Sequence, residues 1–244
     1  MEKQAFFAFF SHFLGIHGLE KYDTDKIKES FFELTRLMLE TNAVMNVTAI
    51  RDEEKIIPLH YIDCMLIADH FPVGASVIDV GCGGGFPTLP LAIVRPDLRI
   101  TGVDSTEKKV RYVAQTAEKL GLSNVTTISA RAEELIREPQ MRESFDVATS
   151  RAVARLNILD ELCLPFVKID GKAVIMKGAA GKEEYAEAAT GIETLGGGLA
   201  HIEYGELTVA EGDIEKRATI LIDKRAGTPA QYPRQFGQIK KRPL

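Results

Sequence analysis

The stretch Val77-Ile78-Asp79-Val80-Gly81-Cys82-Gly83-Gly84-Gly85-Phe86-Pro87-Thr88-Leu89-Pro90 decides the reading of this chain. Val77–Val80 carries apolar side chains on both faces and stops at a glycine cluster, which predicts a short buried strand. Glycine then stands at 81, 83, 84 and 85. With no Cβ there the chain can reverse tightly and let a ligand lie against its peptide groups. Phe86 to Val94 resumes as a helix, with Pro87 tolerated in its first turn because its missing N–H would have no partner there. Strand, bare turn and helix N-terminus together make a nucleotide-type pocket at the carboxyl end of a parallel strand.

Spacing narrows the ligand. A dinucleotide fingerprint needs glycine at the first, third and sixth positions of the turn, and counting from Gly81 the sixth is Phe86. No Lys-Ser or Lys-Thr follows the glycines, so the phosphate loop of nucleotide triphosphatases is excluded as well. What remains is Asp-x-Gly-x-Gly-x-Gly followed by a second strand, Arg99–Val103, that ends at Asp104. An acidic group there accepts hydrogen bonds from both hydroxyls of a ribose. The ligand has a ribose, and the turn shows no demand for phosphate.

Outward from this stretch, strand and helix alternate. Strands are expected at Val77–Val80, Arg99–Val103, Val125–Ile128, Phe145–Thr149 and Ala173–Met176, which specifies an α/β fold with a parallel sheet covered on both faces. The helix after Asp104 starts with Ser105 or Thr106 as cap and stops at Gly121. His201–Val209 and Ala218–Ile222 read as a closing hairpin around Glu211-Gly212-Asp213, reached through a flexible connection at Gly196, Gly197 and Gly198.

Ahead of the strands lie helices. Phe6, Phe9, Phe10 and Phe13 form an aromatic stripe over residues 2–14, read as core rather than as a base-stacking platform because no basic residue stands close. Asp23 or Thr24 caps a second helix to about Glu40. Asn42 to Thr48 is turn-rich, and Asp52 caps a third helix through Ile57, where Pro58 interrupts. Residues 1–72 are expected to be a helical extension and 73–244 the main domain.

The 244 residues carry a formal charge of −5, which excludes a protein that coats nucleic acid by bulk attraction. From Lys216 to Leu244, however, eight Lys and Arg residues stand against Asp223 alone. A basic end on an acidic body marks a local docking site for phosphates, against the plain alternative of a solvated tail. Cys64, Cys82 and Cys163 are too few for a disulfide framework, and with no CxxC pair and scattered histidines no metal site is expected. The cysteine usage and the absence of an apolar run long enough to span a bilayer predict a cytoplasmic protein with no membrane partner.

The segments DVGCGGGFPTLPLAI, VDSTEKKVRYV, ARAEEL, FDVATSRAVA and YPRQFGQIKKRPL, in this order, resemble the bacterial GidB/RsmG family, the guanine-N7 methyltransferases of small-subunit (16S) ribosomal RNA. The likeness runs from Asn46 to the last residue. It implies a class I S-adenosylmethionine-dependent methyltransferase fold, Rossmann-like, with seven mostly parallel strands and an antiparallel final one, and ribosomal RNA or the small subunit as partner. A monomer is expected. The chain departs from the common family pattern at Cys82, Thr88 and Leu89.

On that resemblance Gly81, Cys82, Gly83 and Gly85 line the methyl donor, Asp104 holds its ribose, and Asp79 orders the turn or approaches the donor's cationic end. Phe86, Ala132, Glu133 and Arg151 are the further contacts implied, with Arg151 also orienting the base. For Glu133 the competing reading is an exposed helix carboxylate like Glu134. Asn46 and His60, with Asp63 beside them, are implied near the cleft entrance, so that substrate placement falls to Asn46 and His60. Lys177, Arg217, Arg234, Lys240, Lys241 and Arg242 are candidate phosphate contacts. After the fourth strand stands Thr149-Ser150-Arg151-Ala152, not the Pro-Pro motif of amine methyltransferases. Guanine N7 offers a lone pair with no proton to remove, so no general base is required. Two rivals remain: a nicotinamide-dependent oxidoreductase, which predicts glycine at 86, and a cofactor-less RNA-binding ribosome-assembly factor, which predicts broken glycines or a lost Asp104.

Overall fold

The computed structural model describes residues 1–42 and 45–244. Helices α1 (Lys3–Ile16) and α2 (Asp25–Asn42) come first, then α3 (Glu53–Ile56), a π-helical segment (Ile57–Ile62) and α4 (Asp63–Met65). The alternating part follows as β1 (Ser76–Val80), α5 (Thr88–Val94), β2 (Arg99–Asp104), α6 (Glu107–Lys119), β3 (Val125–Ser129), α7 (Ala132–Leu135), β4 (Phe145–Arg151), α8 (Leu156–Cys163) and β5 (Val167–Lys177). Helix α9 (Gly181–Thr194), the hairpin β6 (Gly197–Ala210) and β7 (Asp213–Lys224), and α10 (Phe236–Lys241) complete the chain.

The seven strands form one sheet in the order β3-β2-β1-β4-β5-β7-β6. The first five are parallel, and β7 enters antiparallel between β5 and β6. This is the seven-stranded arrangement expected above. Successive residues point to opposite faces, as a strand period of two requires. Val77, Val147 and Val174 join a core with Phe6, Phe10, Phe31 and Leu89, while Ile78, Ala148 and Ile175 join one with Leu159, Ala188 and Ile239. Helices thus cover both faces, and the carboxyl ends of β1, β2 and β4 meet at the centre of the sheet's upper edge, where the order of connection reverses.

The aromatic stripe is core: Phe6, Phe10 and Phe13 are buried and Phe6 stacks on Phe10. Thr24 Oγ1 accepts from the Ile27 amide and Asp52 Oδ1 from the Glu54 amide, the caps expected from their spacing. The turn expected over 42–48 falls partly outside the described residues.

Four expectations need correction. Pro58 does not end its helix: the wider turns of Ile57–Ile62 shift the hydrogen-bond ladder past the missing N–H, and the helix runs on into α4. Strand β5 begins at Val167, not Ala173, because exposed Lys168, Ile169 and Asp170 hide its period. Helix α5 begins at Thr88, with Phe86 still in the turn and Pro87 at the cap. The connection at Gly196–Gly198 is packed rather than loose: a Cβ at Gly196 would lie 2.1 Å from the Ala226 carbonyl oxygen.

Candidate functional site

The turn after β1 is tied to the end of β2. Gly81 and Cys82 donate their amides to the Val103 carbonyl at 2.7 and 2.9 Å, and Gly83 donates to Asp104 Oδ2 at 3.0 Å. Asp104 Oδ1 accepts from the Thr106 amide at 2.8 Å. Gly83 has φ +53°, and a Cβ there would meet nothing closer than the Gly81 carbonyl at 3.8 Å, so its bare face opens onto free space. That space is a cleft of about 440 Å³ lined by Gly81–Gly84, Phe86, Asp104, Ala130–Glu133 and Arg151.

Asp79 and Gly85 lie beneath this cleft, not in its wall. Asp79 is fully buried, and its Oδ2 accepts from the Thr88 hydroxyl at 2.6 Å and the Thr88 amide at 3.3 Å. Thr88, one of the positions where the chain departs from the common family pattern, is therefore what holds the turn's carboxylate. Burial pushes the Asp79 carboxyl up to about 6. Gly85 (φ +90°) packs on Leu89. The Cys82 thiol faces Gly102, and burial pushes its pKa up, away from thiolate chemistry.

Glu133 is buried in the cleft wall while Glu134 is exposed, which separates Glu133 from the competing reading of a helix carboxylate in solvent. Arg131 and Phe236 also reach the cleft, the guanidinium 5.9 Å from the ring centre. Phe236 went unnoticed in the sequence because an aromatic near a basic tail has no spacing signal; only its position in the fold brings α10 here.

At the other end, Arg151 anchors a cluster. Its guanidinium donates to the Leu59 carbonyl at 2.9 Å, to Asp63 Oδ2 at 3.0 Å and to His60 Nδ1 at 2.9 Å. The His60 ring stacks on Phe86 with centroids 4.3 Å apart, and its Nε2 meets Thr48 Oγ1 at 2.7 Å. Burial, reinforced by the Arg151 charge, pushes His60 down to about 3, so the ring is neutral. Arg151 and His60 also belong to the wall of an adjoining cleft of about 620 Å³, shared with Asp63, Lys177, Glu184 and Arg217.

The expected phosphate contacts divide. Lys240, Lys241 and Arg242 are exposed. Arg234 is not free: it makes a two-pronged ion pair with Glu161, whose carboxylate is completely buried, at 2.6 and 3.0 Å. Arg217 pairs with Asp63 and Glu215, and Lys177 with Glu184 and the Ala154 carbonyl. In each case an acidic residue claims the cation, far away in sequence for Arg217 and Arg234 and seven positions on for Lys177. Asn46 is exposed next to Val47 and Thr48 of the cleft wall, and Tyr232 packs against the core beneath α10. Among the described residues no group of three or more His, Cys, Asp or Glu could hold a metal ion, and no helix is long and apolar enough to cross a membrane.

The fold has solved counterparts. An O-methyltransferase from Bacillus cereus in complex with SAH superposes with TM-score 0.54 at 16% identity, over 79% of this chain and 91% of that one. A SAM-dependent O-methyltransferase from Thermotoga maritima does so with TM-score 0.52 at 15% identity, over 78% and 71%. Sequence likeness is far stronger to the proteins named "Ribosomal RNA small subunit methyltransferase G". The one from Clostridium perfringens (strain 13 / Type A) is 41% identical across 93% of this chain and 94% of its own. That of Brevibacillus brevis is 40% identical across 96% and 98%. The family model GidB, rRNA small subunit methyltransferase G, matches residues 27–207. With a seven-stranded sheet, a bare turn over its central edge and a likeness that spans nearly the whole length, the chain belongs to the GidB family of small-subunit rRNA methyltransferases.

Proposed function

We propose that this protein transfers a methyl group from S-adenosylmethionine to N7 of a guanine in 16S ribosomal RNA. The residues present fit the donor. Each Asp104 oxygen accepts one backbone amide and keeps a lone pair for a ribose hydroxyl, and the bare face of Gly83 leaves room against the peptide. A cleft of about 440 Å³ falls in the usual range for small-molecule sites. Ala132 and Glu133 lie where the adenine would rest, and Gly81, Cys82, Phe86 and Arg151 complete the wall. Bound there, S-adenosylmethionine supplies an electrophilic methyl on its sulfonium.

The chain's own part is alignment, and the observation that carries the reading is the junction between the two clefts. Arg151 stands there as a held cation, His60 is neutral with both nitrogens engaged, and Asp63 is occupied by two guanidinium groups. None of these three is free to take a proton. Such a site suits a nucleophile that brings a lone pair and has no proton to lose, as guanine N7 does, and most of the rate then comes from holding the partners in line. Asn46, His60, Lys177 and Arg217 border the substrate side, and Lys240, Lys241 and Arg242 offer exposed charge to the phosphate backbone, which positions RNA without reading it. Arg234 serves to dock the tail. We further place the protein in the cytoplasm, acting as a monomer.

The test is methylation of small subunits from cells that lack the enzyme, using methyl-labelled S-adenosylmethionine, followed by strand scission specific to 7-methylguanine. Cleavage at a guanine of 16S RNA is expected. Label confined to another nucleotide, or none, overturns the reading.

A further inference from the structure

Thr48 lines the first cleft beside His60, a wall of both clefts, and three contacts fix its segment. Buried Asn42 accepts the Val47 and Thr48 amides on Oδ1 at 2.8 and 3.1 Å and donates Nδ2 to the Thr48 carbonyl at 3.0 Å. Val47 lies against the glycine turn so closely that a Cβ on Gly84 would come within 2.8 Å of its Cγ1. The Thr48 hydroxyl lies 2.7 Å from His60 Nε2.

The direction of every hydrogen bond in this corner follows from donor inventory. A guanidinium has only protons to offer, so His60 Nδ1, 2.9 Å from Arg151, is an acceptor and carries none. The single proton of the neutral ring is then on Nε2 and is donated to Thr48 Oγ1 at 2.7 Å. The Ile50 amide donates to the same oxygen at 3.0 Å. Both lone pairs of Thr48 Oγ1 are thereby taken. Its own proton is the one hydrogen-bonding capacity left, and no acceptor among the described residues takes it. A serine or threonine hydroxyl ordinarily rotates to suit its partner; this one is committed to donate.

On its Hoogsteen edge guanine carries two adjacent acceptors, N7 and O6, whereas adenine carries N7 beside an N6 amine donor. A base that presents N7 to the methyl donor therefore brings its 6-substituent along. We propose that Thr48 donates to O6 of the target guanine and so selects guanine over adenine, a step that rests on the guanine-N7 reading of the preceding subsection. The chain Arg151, His60, Thr48 keeps the hydroxyl pointed one way, so adenine would set donor against donor.

The experiment compares two ligated small-subunit RNAs, with guanine or 2-aminopurine at the mapped position; 2-aminopurine keeps N7 and lacks O6. For the wild type, transfer to 2-aminopurine is expected to be roughly ten- to hundredfold slower, the loss when a buried donor finds no acceptor. Thr48→Val, which keeps the side chain's shape, should slow transfer to guanine by that factor more than transfer to 2-aminopurine and so close the gap between the two RNAs. Thr48→Ser should retain the gap. Calorimetry should find S-adenosylmethionine affinity within about twofold of wild type in both variants, the spread expected when no cofactor contact is removed. A gap that persists in Thr48→Val, because both RNAs lose equally, or a loss of cofactor affinity matching the loss of rate overturns the assignment of Thr48. A wild type that methylates no guanine N7 overturns the underlying reading and this one with it.

Discussion

The guanidinium of Arg151 donates to Nδ1 of His60 at 2.9 Å while also holding the Leu59 carbonyl and Asp63. Only a planar fork reaches all three at once, and a lysine ammonium keeps the charge without that geometry. Arg151→Lys should lower methyl transfer by about a hundredfold, the scale of misplacement near the reacting atoms. Single-turnover rates at saturating cofactor check it.

Asp104 lines the cleft and accepts the Gly83 amide of the bare turn. Asp104→Ala should weaken S-adenosylmethionine binding by about 1.5–3 kcal/mol, the worth of hydrogen bonds to a charged group. Calorimetry decides, and unchanged affinity would move the ribose elsewhere.

Neighbouring glycines should fail differently. Gly83→Ala places a methyl in open cleft space at φ +53°, so it should reduce cofactor affinity at a folding cost of about 1–2 kcal/mol. Gly84→Ala instead drives a Cβ to within 2.9 Å of the Val47 carbonyl oxygen and should displace Thr48, lowering transfer more than cofactor affinity. Calorimetry beside rate measurements separates the two.

Arg234 was a candidate for RNA and is a structural partner of buried Glu161. Arg234→Ala leaves that carboxylate unpaired and should destabilise the fold by about 3–5 kcal/mol. A Lys240→Ala, Lys241→Ala double variant should melt like wild type and bind RNA with a salt slope shallower by up to about two. Thermal melts and salt titrations test both.

Asp160 is buried with Oδ2 unpaired, and burial pushes its carboxyl up to about 7. Folded protein thus holds a proton that the unfolded chain releases near pH 4, so the protonated group's contribution is full below that pH and is lost as pH rises through 7. Asp160→Asn removes the dependence. Its stability relative to wild type should rise between pH 4 and 8, by on the order of 4 kcal/mol. Melting temperatures across that range report it.

What the sequence discloses is local. The turn, the strand before it and Asp104 are legible because glycine spacing, strand period and the next strand's end lie within 28 positions, from Val77 to Asp104. The ion pairs of Lys177, Arg217 and Arg234 were hidden because their partners Glu184, Asp63 and Glu161 are recognisable only after folding; Glu161, in LDELCL, looks like a solvated helix acid until Arg234 closes on it. The relay through His60 to Thr48 was hidden for the same reason, since a hydroxyl twelve residues before a histidine carries no period.

Arg151 and His60 are walls of both clefts, so a ligand that shifts either side chain in one compartment reshapes the other. Thermodynamic linkage then demands symmetry: by whatever factor the methyl donor tightens the grip on RNA, RNA must tighten the grip on the donor. Demethylated donor and finished RNA are bound by the same reciprocity, and exchange of one governs how readily the other departs.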